Sequence, residues 1–144
     1  MNLKEIEYQE KVSDFSSLTE LYRAVKLGRR TTDEIRTAFE NSRYVVAALH
    51  EGELVGAGRA FGDEIDCAVI CDLAVYPEFQ GKGIGSALMN ALLKRVKHHQ
   101  RIILYASPGK EIYYRKFGFK KMKTAMVTSF LLDEAFARQI GFIE

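Results

Sequence analysis

The sequence predicts an α/β (α+β) fold: a mixed, mostly antiparallel central sheet with helices on both faces. Three observations carry that prediction. The segment "RYVVAALHEGELVGAGRAF" consists of two apolar runs around Glu51-Gly52, the pattern of a β-hairpin. The run "CAVICDLAVY" is apolar on both faces, as a central strand covered on both sides should be. An amphipathic segment and then "RIILYAS" follow it, and strand–helix–strand across residues 67–106 implies a parallel pair with a right-handed crossover.

The remaining elements fall into order around these. A first short strand is expected within residues 3–11. One helix carries Phe15, Leu18, Leu21, Tyr22 and Val25 at helical spacing. A second opens at the capping signature Thr31-Thr32-Asp33-Glu34 and carries Ile35 and Phe39. The short basic loop "KLGRRTT" lies between them. After the central strand, Ile84, Leu88, Ala91, Leu92 and Val96 form one stripe of a helix. "KEIYYRKFG" reads as a short helix, "MVTSFLL" as a last strand, and "DEAFARQIGFIE" as a stripe that covers the sheet or pairs with a second copy, so a homodimer is possible. No repeat, low-complexity tract or linker interrupts residues 1–144, which reads as one domain.

Composition narrows the function classes. With 47% hydrophobic and 28% charged residues, the 144-residue chain has a globular composition and the length for a hydrophobic core. A net charge of +2 is too small to imply nucleic acid or a membrane surface as partner. No apolar run reaches the ~20 residues of a membrane span, and the mixed, charged "MNLKEIEYQEK" is not a targeting peptide, so a cytoplasmic location is expected. Cys67 and Cys71 read as small apolar residues of the interior. His50, His98 and His99 show no metal-ligand spacing, and no metal is expected.

The informative stretch is "VYPEFQGKGIGSALM", with Gly81, Gly83 and Gly85 at alternate positions where a strand hands over to a helix. Glycine there implies either close approach to the backbone, a bend too crowded for larger residues, or unusual φ/ψ angles. A P-loop fails because Tyr76 stands where its first glycine belongs and Gly83 where its Ser or Thr belongs. A dinucleotide fingerprint fails because position 86 is Ser86 and no acidic residue follows near residues 101–105. What survives is a concave set of amide donors at a helix N-terminus, suited to a pyrophosphate, with Lys82 at its mouth. A tight packing turn is the alternative reading of the same glycines.

Two motifs together resemble the GCN5-related N-acetyltransferase (GNAT) family. Gln80, Gly83 and Gly85 match its acetyl-CoA signature after a Leu-Ala-Val strand, and "IYYRKFGF" matches its second landmark, with Tyr114 at the tyrosine position and Gly118-Phe119 closing it. The resemblance implies the acyl-CoA N-acyltransferase fold over the whole chain, acetyl-CoA as co-substrate and direct transfer of acetyl to an amine of a small molecule or protein. It places Leu73, Ala74 and Val75 along the pantetheine arm, their strand splayed from its neighbour. Gln80, Gly81, Lys82, Gly83, Ile84, Gly85 and Ser86 would lie around the pyrophosphate. It makes Tyr114 the acid that protonates the departing thiolate, with its ring also beside the cofactor, and leaves Tyr113 to the core.

The base is less direct. Cys71 and Val69 occupy the family's usual positions and neither is an evident base. Asp72 would serve only if a bulge between Asp72 and Leu73 re-aimed it; otherwise it is a buried acid partnered by Arg59 or Arg101. Water, Glu64 or Glu34 are the other routes, and a Cys71 acyl-enzyme is a further one. Arg29 and Arg30 are candidates for gripping a carboxylate or phosphate on the acceptor. A non-catalytic acyl-CoA sensor or scaffold with the same fold is the alternative function.

Overall fold

A computed structural model describes residues 5–144. Residues 3 and 4, within the span expected for the first strand, lie outside the described residues; the strand itself, β1, runs Ile6–Gln9. Helices α1 (Phe15–Ala24) and α2 (Thr32–Glu40) follow, then strands β2 (Tyr44–His50), β3 (Glu53–Gly62) and β4 (Cys67–Val75). Helix α3 (Ile84–Val96) leads to β5 (Arg101–Ile103), and α4 (Glu111–Arg115) and α5 (Glu134–Gln139) complete the order. Contacts group the chain into two compact units, one ending at Leu104 and one spanning Tyr105–Glu144.

In the first unit the sheet order is β1-β2-β3-β4-β5, antiparallel except for the β4–β5 pair. The hairpin turn sets both Glu51 and Gly52 at positive φ, the type I′ geometry that matches strand twist. At α2, Thr31 accepts from the Glu34 N–H and the Glu34 carboxylate accepts from the Thr31 N–H, the reciprocal cap the sequence predicts.

Helices cover both faces of this sheet. Ala57 of β3 joins Leu18, Leu21, Tyr22, Ile35 and Phe39 in one buried cluster under α1 and α2. Its neighbours Gly56 and Gly58 face the other way, toward α3. A Cβ on Gly56 would stand 3.0 Å from Leu88 Cδ1, and one on Gly58 would stand 2.9 Å from Leu73 Cδ1 and 3.3 Å from Leu92 Cδ1. The alternation Gly-Ala-Gly thus lets α3 lie close against the sheet while the opposite face keeps a side chain.

Two expectations need correction. Residues 126–132, expected as a strand, form none, and Met126, Phe130 and Leu131 are exposed. β-propensity alone does not make a strand without a paired edge. Cys67 and Cys71, expected in the interior, are free thiols and only half-buried. No described helix is long and apolar enough to cross a membrane.

Candidate active site

The site grows from an irregularity in β4. Arg59 pairs with Cys71 and Ala57 with Ala74, so Gly58 alone faces both Asp72 and Leu73. This is a β-bulge, and Asp72 takes the left-handed φ of +59° that it requires. The missing Cβ of Gly58 makes room for Leu73 at the same point. The bulge turns the Asp72 side chain toward the α1 side of the sheet.

Three side chains hold it there. Arg30 donates from both terminal nitrogens to the two carboxylate oxygens, at 2.8 and 3.0 Å, and Arg59 Nε donates to Oδ2 at 2.7 Å. The Tyr22 hydroxyl donates to the Asp72 backbone carbonyl at 2.8 Å. The Arg30 guanidinium also lies over the Tyr22 ring, 5.3 Å from its centroid. Burial by itself would raise the Asp72 pKa, but the hydrogen bonds and charges of Arg30 and Arg59 outweigh it and hold the carboxyl below its ordinary range. The same surroundings push the buried Tyr22 phenol well up, chiefly through desolvation.

Above the bulge β4 loses a neighbour. Its parallel pairing with β5 covers Cys67–Arg101, Ala68–Ile102 and Val69–Ile103 and ends there. From residue 70 to Val75 that edge has no strand partner among the described residues, although the Asp72 and Val75 carbonyls accept from the Tyr22 and Gln80 side chains. A short 3₁₀ turn, Pro77–Phe79, then carries the chain to the glycine loop. The Gln80 side-chain amide donates to the Val75 carbonyl at 2.9 Å and fastens the loop to the strand end.

Gly81 and Gly83 have φ of +75° and +86°, and a Cβ on either would meet nothing within 4 Å. Their role is therefore backbone geometry, not crowding, which corrects one of the readings above. Gly83 is the N-cap of α3 and no side chain caps that helix. Gly85 lies in its first turn. The leading N–H groups of α3, from Ile84, Gly85 and Ser86, have no intrahelical carbonyl to bind and face the positive end of the helix dipole. Lys82 bends back over the 3₁₀ turn, with Nζ 3.4 Å from the Glu78 carbonyl. Amide donors without intrahelical partners at a dipole terminus fit an anion such as a pyrophosphate.

Tyr114 belongs to the second unit. It sits in α4, whose end is a Schellman motif: Gly118, at φ +92°, donates to the Arg115 carbonyl, and Phe119 N–H reaches back to the Tyr114 carbonyl. The hydrophobic contact that accompanies this motif joins Phe119 to Tyr114, ring centroids 6.3 Å apart. Tyr113 packs edge-on against Tyr114 from the other side. Burial pushes the Tyr114 phenol up, with Tyr113 adding to the shift, so the hydroxyl keeps its proton at neutral pH. Tyr113, expected in the core, is 39% exposed, with the Lys116 ammonium over its ring.

Several other sequence candidates have settled partners. Glu34 is engaged in the α2 cap, which lowers its pKa. Glu64 accepts from the Tyr44 hydroxyl and contacts His98. Arg101 pairs with Asp66 rather than Asp72. Burial raises the Cys71 pKa, which disfavours the thiolate a covalent route would need. Arg29 is exposed, as a solvated loop charge would be, whereas Arg30, a candidate for gripping an acceptor, is engaged with Asp72. Sequence reasoning missed Tyr22 as a polar contact. The signal was an acidic residue inside an apolar strand, which demands partners, and a tyrosine inside an apolar helical stripe, which demands one for its hydroxyl.

The chain is similar to several known proteins. A rice (Oryza sativa subsp. japonica) protein, serotonin N-acetyltransferase 2, chloroplastic, is 37% identical over 112 residues, covering 74% of this chain and 56% of its own. A ycf52-like N-acetyltransferase of Prochlorococcus marinus is 32% identical over 117 residues, 77% of this chain and 65% of its own. The chain thus spans less than two thirds of the length of these curated relatives. Among solved structures, a GNAT family acetyltransferase from Streptococcus pneumoniae TIGR4 superposes with a TM-score of 0.71 at 29% identity, covering 88% of this chain and 95% of its own. A probable acetyltransferase from meticillin-resistant Staphylococcus aureus gives 0.78 at 21% identity, covering 88% and 98%, and shares the fold. The model of the acetyltransferase (GNAT) family matches residues 10–119, across both the bulged strand with its glycine loop and the α4 tyrosine, and the chain belongs to that family.

Proposed function

We propose that the chain is an acetyl-CoA-dependent N-acetyltransferase that moves acetyl directly to an amine of a small molecule or protein. The observation that carries this reading is the uncapped start of α3, behind two left-handed glycines and next to the unpaired edge of β4. In this reading acetyl-CoA supplies the activated thioester. Amides from Gln80 to Ser86 hold its diphosphate, with Lys82 adding charge, and backbone groups of Leu73, Ala74 and Val75 align the pantetheine arm.

The chain's own chemistry then has three parts. A main-chain N–H on the Leu73–Val75 segment supports the oxyanion of the tetrahedral intermediate. The Tyr114 hydroxyl delivers a proton to the departing sulfur; burial keeps the phenol protonated at neutral pH and so in the form that can donate. Asp72 we assign to positioning: its carboxylate faces two guanidinium groups and its pKa is low, so it fixes the bulge instead of taking a proton from the amine. The amine loses its proton through water.

Calorimetric titration with acetyl-CoA tests the assignment. The wild-type chain should bind one equivalent. Gly83→Glu should bind at least about tenfold more weakly, since it sets a carboxylate before the helix dipole; undiminished binding would refute the phosphate site. Tyr114→Phe should keep binding and lose most turnover, and full turnover would remove it as the acid. Serotonin is a reasonable first acceptor in an amine panel, from the name of the rice relative. One observation favours the sensor reading, the paired state of Asp72; tight acetyl-CoA binding without turnover on any amine would decide for it. The cytoplasm is our proposed location, although the rice and Arabidopsis relatives are named as chloroplastic.

A further inference from the structure

The opposite end of α3 carries a second group of chemically active side chains. The loop between β3 and β4 is built on Asp63, whose Oδ1 accepts from the N–H groups of Ile65, Asp66 and Cys67. That turn places Glu64 at φ +70° and aims its carboxylate at His98 and His99, just past the end of α3. His98 Nε2 lies 3.0 Å from Glu64 Oε2, and His99 Nε2 lies 4.0 Å from Oε1. One donor atom from each of the three falls within 4.8 Å of the others. Glu64 Oε1 is buried and has no hydrogen-bond partner. A buried carboxylate oxygen left without a partner requires an explanation, and an ion or water is the usual one.

We propose that Glu64, His98 and His99 form a binding site for a borderline divalent transition metal of the zinc class. Two imidazoles and a carboxylate are the donor types such ions take. Bonds of about 2.0–2.1 Å place tetrahedral donors roughly 3.3 Å apart; the three ligand atoms here lie within 4.8 Å of one another, so small side-chain shifts close them on an ion. His99 Nδ1 is 2.8 Å from the Val96 carbonyl, a backbone contact that fixes the Nδ1–H tautomer, so Nε2 is the acceptor nitrogen and at present takes the Glu64 N–H. The ring is fully buried, and Gly62 makes room for it, since a Cβ there would stand 2.7 Å from Nε2. Access comes from the other two ligands, with the Glu64 side chain 30% and the His98 side chain 46% exposed, and water can complete the coordination.

Loading exchanges existing contacts for coordination. Glu64 N–H donates to His99 Nε2 at 3.0 Å, so loading requires the Glu64 amide to turn away to water, which frees that lone pair for the metal. Any proton on His98 Nε2 moves to Nδ1 or leaves to solvent, so uptake is proton-coupled. Tyr44 O–H continues to hold Oε2 in place. Arg43 Nη1 lies 3.7 Å from Oε2 on a side chain 69% exposed and able to turn outward. Sequence spacing hid this group, because Glu64 is 34 residues from His98 and only the sheet brings them together.

Zinc chloride titrated by calorimetry into the untagged, chelator-treated full chain tests the proposal, with cobalt absorption as the second readout. The expected result is one metal per chain and an intense cobalt d–d band. His98→Gln and Glu64→Gln should each weaken binding about tenfold or more and dim that band. His50→Gln is the control, because Glu5, His50 and Glu51 form another close group of donors, and it should change neither readout. Thermal midpoints of the metal-free variants check that each is folded; His98, on a half-exposed side chain, is the safer of the two. No heat and no cobalt band at millimolar metal would overturn the site. So would binding that survives His98→Gln or disappears in His50→Gln. Because both readouts follow the metal itself, neither depends on acetyl-CoA or turnover.

Discussion

At the scale of single residues, the decisive position is Asp72. Its carboxylate is 12% exposed and serves two guanidinium groups at once, so removing the charge strands two cations in a poorly solvated place. Asp72→Asn should cost about 3 kcal/mol in urea unfolding. Because its folded pKa is depressed, its stabilisation is complete above the ordinary carboxyl range near ~4 and is lost as pH falls through the lowered value. The gap between wild type and Asp72→Asn should therefore narrow only on acidification below that range. A gap that stays constant down to pH values where the wild type unfolds would argue against the clamp. The sequence made the need for a bulge explicit, because strand alternation alone would aim Asp72 at the wrong face. It could not reveal that Arg30, 42 positions away, would be the main partner. Charge pairing at that separation is set by the fold, and composition carries no record of it.

At the scale of elements, the packing of α3 on β3 leaves little room for change. Gly58→Val would drive methyl groups into Leu73 and Leu92, where a single Cβ already lies at 2.9 and 3.3 Å. Overpacking of that kind costs about 1–3 kcal/mol, and since Gly58 also faces the bulge, acetyl-CoA affinity should fall in the same variant. Thermal unfolding and calorimetry check the pair of effects. Gly118→Ala should cost about 1 kcal/mol for its left-handed φ, and its larger effect should be on turnover, because the cap orients Tyr114 through Phe119. Element identity was legible wherever a local rule was complete within a few residues. The α2 capping box and the Glu51-Gly52 turn are examples. It failed for residues 126–132, where apolar, β-prone side chains suggested a strand but strand formation depends on a partner edge outside the segment.

For the whole molecule, the parting of β4 from β5 after Val69 and Ile103 is what separates this sheet from a closed one. The amides between residue 70 and Val75 that face this opening should exchange with deuterium faster than those paired to β3, and acetyl-CoA should slow them selectively. Uniform protection in the free chain, or no change on ligand addition, would contradict the proposed strand-like docking of the pantetheine arm. The family, the β2–β3 hairpin and the parallel β4–β5 pair could be read from two short motifs and the alternation of apolar runs. The splay could be anticipated only through family resemblance, since β5 looks as long as any other strand in the sequence and stops after three residues for reasons of geometry.

The first turn of α3 has a consequence that reaches beyond catalysis. A thirteen-residue helix that begins without a side-chain cap leaves its own terminus incompletely satisfied. Its ordering is then tied to whatever negatively charged solute the surroundings offer. The melting temperature of this chain should accordingly rise with dissolved polyphosphates or sulfate well before any thioester is present. In a crowded compartment its robustness would become a readout of local anion supply.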